Sequence, residues 1–172
     1  MVYQIIIFIC LALFIIAGAH YFLYASIVFL FNITNQTAKT NLLILIIFLT
    51  LSFIISSLLA NWWENFFTLY FYIISGFWLG LLTNLILAAI GSWLVIYFIK
   101  LAGFNPNNII IAGAFFLFAF IYSIYGTWNA FHPIVKEIPV SIKNLPADWK
   151  NKTIVQLADI HLGHVYDVNF FN

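Results

Sequence analysis

Near its C-terminal end the chain reads TIVQLADIHLGHVYDVNFFN, residues 153–172, and side chains able to do chemistry gather there. Asp159 and His161 are separated by one residue, and Gly163 stands two beyond. In extended backbone, residues i and i+2 project from the same face, so a carboxylate and an imidazole can reach one cation together. Ile160 then faces the other way, toward a core. This donor mixture suits Zn, Mn or Fe better than Mg or Ca, whose shells are built of oxygen. Gly163 lets the backbone turn sharply away from such a site. His164 and Asp167 are accessory candidates: they extend the pattern to D-x-H-x-x-H-x-x-D, whose four donors match the count of tetrahedral Zn. Four ligands so close in sequence leave no partners to orient them, and Asp167 equally suits the cap of a helix starting at Val168. The plainest alternative makes Asp159 a turn acid and His161 an ordinary strand-end histidine, in a multi-pass membrane scaffold with no chemistry.

The elements that would position these residues begin at His132-Pro133. In IVKEIPVSI, residues 134–142, Ile134, Ile138, Val140 and Ile142 fall on one face, interrupted by Lys136. Val135, Glu137, Ser141 and the adjacent Lys143 fall on the other. Such alternation predicts a strand, which Pro139 confines to a sheet edge. KNLPADWKN follows as a turn, with Pro146 fixing its chain direction. TIVQLA, residues 153–158, then reads as a short buried strand that delivers Asp159 at its exit.

Everything before that is oil. Of 172 residues, 65% are hydrophobic and 6% charged, against roughly 25% charged in a soluble domain, so most of this chain is built for lipid. Residues 1–131 carry Lys39, Lys100 and Glu64 as their only charges, and the remaining charges follow Phe131. That shift divides a transmembrane domain, 1–131, from an aqueous segment, 132–172. A helix crosses a bilayer with about 20 mainly apolar residues. Spans are predicted near 3–30, 41–60, 66–99 and 108–127, all helical because lipid offers the backbone no hydrogen bonds. The third is read as one long helix, since neither charge nor proline interrupts it. Ala17-Gly18-Ala19 has the pattern of a signal-peptidase site, but no basic residue precedes the first apolar run and apolar chain resumes at Tyr21. An uncleaved span is the better reading.

Within the spans, Gly76 and Gly80 form a GxxxG step that Asn84 and Ala88 continue. Small residues at this spacing admit a neighbouring helix, and Asn84 can hydrogen-bond across the contact. His20 is a lone intramembrane histidine with no acid in its span to complete a proton relay. Charged residues are too few in the spans for a transporter. Trp62, Trp63, Glu64 and Trp128 suit the headgroup layer. The Asn-x-Thr triplets at 32–34, 35–37 and 151–153 are read as chance in an Asn-rich chain. Cys10, the only cysteine, can form no intrachain disulfide. A net charge of +1 excludes the basic footprint of a nucleic-acid binder. Lys39 and Lys100 sit in short loops on one side, so the positive-inside rule puts the C-terminal segment outside the cytoplasm at the cell membrane.

One longer run binds these readings together. YGTWNAFHPIVKEIPVSIKNLPADWKNKTIVQLADIHLG, residues 125–163, resembles the N-terminal part of membrane-anchored calcineurin-like metallophosphoesterases. In that family a Tyr-Gly…Asn-Ala…Pro stretch leaves the last span. A strand, a Leu-Pro turn and a second strand ending in Ser-Asp-x-His-x-Gly come next. Tyr125, Gly126, Asn129, Ala130, Pro133, Leu145, Pro146, Asp159, His161 and Gly163 match; Ala158 stands where Ser is usual. The resemblance implies an α/β phosphoric ester hydrolase holding two divalent transition metals (Mn, Fe or Zn), with Asp159 and His161 on the first. It also implies further motifs, Gly-Asp-x-x-Asp, Gly-Asn-His-Asp/Glu and Gly-His-x-His, none of which occurs in these residues. The expectation is a helical membrane domain followed by the first strands of a phosphoesterase domain. The phosphate-ester substrate would be met only by a longer chain, and these residues alone should not catalyse.

Overall fold

The computed structural model describes residues 2–63, 65–132, 134, 136–144, 146–149 and 152–156. Four helices follow one another: α1 (Val2–Leu30), α2 (Gln36–Trp62), α3 (Phe66–Leu101) and α4 (Asn108–Ala130). Each is long and apolar enough to cross a membrane, and the chain is a multi-pass membrane protein. The third span is a single helix of 36 residues, about 54 Å long at 1.5 Å per residue. A hydrocarbon layer of about 30 Å cannot contain it upright, so α3 tilts or projects beyond the layer.

Asparagine marks three of the helix starts. The Asn35, Asn65 and Asn107 side chains accept from the backbone N–H of Ala38, Thr68 and Ile110 at 3.1, 3.0 and 3.2 Å. Each satisfies a donor that the first helical turn leaves unpaired. At α3 the cap is reciprocal, because the Thr68 hydroxyl also accepts from the Asn65 N–H at 3.2 Å. Asn35 of the triplet 35–37 therefore has a structural task. At the other ends, Asn32 (φ 51°) and Gly103 (φ 84°) adopt left-handed backbone. Ile33 N–H then reaches Val28 O at 2.9 Å and Phe104 N–H reaches Ile99 O at 3.1 Å, closing α1 and α3 in the same motif.

α3 packs on α1, α2 and α4, most extensively on α4. Leu23, Ile46 and Leu82 join the first three helices in one buried cluster. Leu30, Ile96 and Ala112 join α1, α3 and α4 in another. What distinguishes the interior is its polarity: His20, Ser26, Ser52, Ser56, Ser75, Ser92 and Ser123 are buried, while Phe8, Phe14, Ile44 and Phe118 lie outside. Lipid gives apolar side chains no reason to hide, so small residues that permit close backbone approach occupy the contacts instead. The closest such approach is at Gly91, where a Cβ would lie 2.7 Å from the ring of Phe115 on α4.

The aqueous segment departs from expectation. Strands were expected over 134–142 and 153–158, yet the described residues of both stretches carry none, and a single 3-10 turn, Ala147–Trp149, interrupts otherwise irregular chain. A strand persists when a neighbour pairs its N–H and C=O groups and one face is buried. Here Ile134, Ile138, Val140 and Ile142 are all exposed, and Pro139 has no N–H to donate. Alternation supplied the pattern but not the partner, and the described residues form no α/β layer.

Gly91→Leu should force the Phe115 ring out of the α3–α4 contact and destabilise the bundle by about 1–3 kcal/mol, the usual cost of overpacking. Gly113→Ala, where a Cβ meets nothing within 4 Å, should be neutral or gain up to about 1 kcal/mol from helix propensity. Thermal unfolding of the two variants in the same detergent tests the contrast.

Candidate functional site

Asp159, His161, Gly163, His164 and Asp167 lie outside the described residues, as does Leu157-Ala158 before them. Among the described residues no group of three or more His, Cys, Asp or Glu side chains stands close enough to hold a metal ion. What is described is the approach to the motif. Tyr125, Gly126, Asn129 and Ala130 form the last turns of α4. His132 follows, its ring stacked on Trp128 with centroids 4.1 Å apart. Its Nδ1 donates to the Trp128 carbonyl at 2.7 Å, which occupies one of the carbonyls a helix end leaves open. Downstream, Ile154 and Val155 are as exposed as Ile134. The chain that leads to Asp159 thus leaves the bundle carrying an uncovered set of apolar side chains.

Inside the bundle, His20 has found a partner that sequence reasoning missed. The Trp78 indole N–H donates to His20 Nε2 at 2.9 Å, and His20 Nδ1 lies 2.9 Å from the Ile16 carbonyl. An indole nitrogen can only donate. Nε2 must therefore accept, the proton sits on Nδ1, and Nδ1 donates to Ile16. Both ring nitrogens are used, and the side chain is 1% exposed. This histidine ties α1 to α3 through hydrogen bonds at both ring nitrogens. A second indole repeats the device, with Trp93 N–H donating to the Ser26 hydroxyl at 3.2 Å. The partners are 58 and 67 residues apart, so no local pattern announces them.

Asn84 crosses to α4 as its type suggests, donating to the Ser123 hydroxyl at 2.8 Å. Ser123 in turn donates to the Ala119 carbonyl, also at 2.8 Å, and the Thr127 hydroxyl donates to the Ser123 carbonyl at 2.9 Å. The glycines above Asn84 behave differently. Gly76 and Gly80 were expected to press against another helix, but a Cβ on either would meet nothing within 4 Å. They line a cavity of about 510 Å³ that Gly126, Ala130 and Phe131 of α4 close from the other side. The close approach lies at Gly91 instead, where α4 offers the Phe115 ring.

Comparison with family models, with curated proteins and with solved structures gives no match to this chain.

Nitrogen-15 NMR of the full chain in micelles should find the His20 ring in its Nδ1–H form. Trp78→Phe should shift the Nε2 resonance as its donor is lost, while the Ile16 carbonyl keeps the proton on Nδ1, and should cost about 1–3 kcal/mol, since it strands a buried acceptor. Ser75 offers the converse test: its hydroxyl is buried with no partner. Ser75→Ala should leave the unfolding midpoint unchanged or raise it.

Proposed function

We propose that the four helices anchor a calcineurin-like metallophosphoesterase domain whose first residues are 132–172. The observation that carries this reading is the ordered match of residues 125–163 to that family's membrane exit, Leu-Pro turn and Asp-x-His-x-Gly motif. Two features of the structure support it. Tyr125, Gly126, Asn129 and Ala130 end a membrane helix, as the family's exit stretch requires. Beyond them Ile134, Ile138, Val140, Ile142, Ile154 and Val155 are exposed. Apolar residues at strand spacing outside the bilayer need a sheet to bury them, and a following α/β domain supplies one.

In this reading Asp159 gives a carboxylate oxygen and His161 an imidazole nitrogen to the first of two transition metals. When bound, such a metal pair supplies an activated water and neutralises charge on a phosphate ester. The chain's own part is to hold both donors on one face of a strand exit, with Gly163 turning the backbone away. The remaining ligands would come from chain beyond Asn172.

Orientation belongs to the same proposal. Lys39 lies in the first turns of α2 and Lys100 in the last turn of α3, at one end of the bundle. Positive charge in short loops favours the cytoplasm, so residues 132–172 face outward.

Hydrolysis of a bis-aryl phosphate in Mn²⁺ or Zn²⁺ tests the enzymatic reading. The 172-residue chain should be inert, and the chain extended past Asn172 along its coding sequence should be active. Asp159→Asn or His161→Ala in the extended chain should remove most of that activity, at least a hundredfold by analogy with the loss of a metal site's supporting groups, which costs about 10–100-fold. Turnover by the 172 residues alone, lost on Asp159→Asn, would favour the local site with His164 and Asp167. An extended chain inert with every metal would favour the scaffold.

For orientation, single cysteines at Lys100 and Lys136 in a Cys10→Ala background should separate in intact cells. A membrane-impermeant maleimide should reach only position 136, and labelling of position 100 alone would reverse the topology.

A further inference from the structure

We propose that the open groove between α3 and α4 holds one acyl chain of a membrane phospholipid. The cavity of about 510 Å³ falls within the roughly 300–1,000 Å³ of small-molecule sites. It exists because α3 and α4 close on each other at Gly91 and Phe115 but leave Gly76, Gly80 and Gly126 without a neighbour at Cβ distance. This inference stands apart from the phosphoesterase reading and needs no downstream domain.

Three observations choose the occupant. The first is length: from Tyr72 to Asn84 the lining follows α3 for twelve residues, about 18 Å at 1.5 Å per residue. That is close to one leaflet, half of a hydrocarbon layer of about 30 Å. The second is access. Gly80, Gly126 and Ala130 are exposed, so the groove continues the lipid-facing surface of the helices and is filled sideways from the bilayer. The third is polarity. Asn84 donates across the contact to Ser123, and the Ser123 and Thr127 hydroxyls bond back to their own helix. The rest of the lining is mostly apolar, with Tyr72 and Tyr122 beside Phe53, Ile73, Phe77 and Leu81.

A helix of a second copy, about 10 Å across, would lay only one face along the groove. A single hydrocarbon chain needs only its own thickness. It also fills the void left by the four small residues, restoring the dispersion contacts that a gap in a packed interior forfeits.

The full chain in phosphatidylethanolamine–phosphatidylglycerol nanodiscs, doped with a phospholipid bearing a diazirine in its acyl chain, provides the test. After irradiation, adducts should concentrate on residues 72–84 and 122–131, above the level on the outer face of α1 around Phe8. Gly80→Leu fills the groove from one wall and Gly126→Leu from the other, and each should suppress the groove adducts while leaving those on α1. An unchanged unfolding midpoint for either variant shows that the bundle is intact. Three results would overturn the proposal: groove labelling no denser than on α1, which means an ordinary lipid annulus only; labelling that survives both fillings; or disulfide-linked dimers of Gly80→Cys in a Cys10→Ala background, which would assign the groove to a second copy.

Discussion

Lipid can neither donate nor accept a hydrogen bond, and the rest of this architecture answers to that fact. Every backbone group in the spans has to be satisfied within its own helix, so even β-branched and aromatic runs such as IIIFIC and AFFLFAF fold as helices. The same constraint removes the usual reason for burying leucine and phenylalanine. Helices must be held by close approach and by polar groups whose alternatives in lipid are poor. Serine, alanine and one histidine accordingly share the interior with a few leucines and isoleucines. Ser52, Ser56, Ser92 and Ser123 donate back to carbonyls of their own helices, which satisfies the hydroxyl and keeps the helix surface flat. Among the links between helices, three are side chain to side chain across long sequence separations: Trp78 to His20, Trp93 to Ser26, and Asn84 to Ser123.

α3 takes part in all three of those links. It gives two indoles to α1 and one amide to α4, and its length lets it meet different helices at different depths. The two ends of its contact with α4 are unequal. Near Gly91 the pair is tight because an aromatic ring fills the gap that a missing side chain leaves. Near Gly80 a cavity opens between the helices, lined by Gly76, Gly80 and Gly126 together with Tyr72, Phe77 and Tyr122. Small side chains allow close packing but do not compel it; the facing side chain decides.

The sequence carried the helices clearly because each span exceeds the length of a bilayer crossing and its ends are chemically marked. Asn35, Asn65 and Asn107 are good caps, and Gly103 and Asn32 tolerate left-handed backbone. These are local signals, so boundaries were legible to within a few residues for α3 and α4, less closely for α2, which begins five residues earlier than its apolar core. The failures are all non-local. His20 looked solitary because its partner lies on another span. The GxxxG step named a face without naming what opposes it. The alternation at 134–142 is genuine, but a strand is a property of a pair of segments, and the described residues contain no second member. As for the Asp159–His161 pair, spacing and resemblance carry it, since those residues fall outside the described chain.

Where chemistry can reside in this molecule follows from where charge can reside. The four helices contain no aspartate or glutamate, and their two lysines stand in terminal turns. Their one histidine has both nitrogens engaged by Ile16 and Trp78. Among the described residues no chain of Asp, Glu, Lys or His side chains therefore crosses the bundle. Four of the five carboxylates and the other three histidines follow Phe131 instead, beside four of the six lysines.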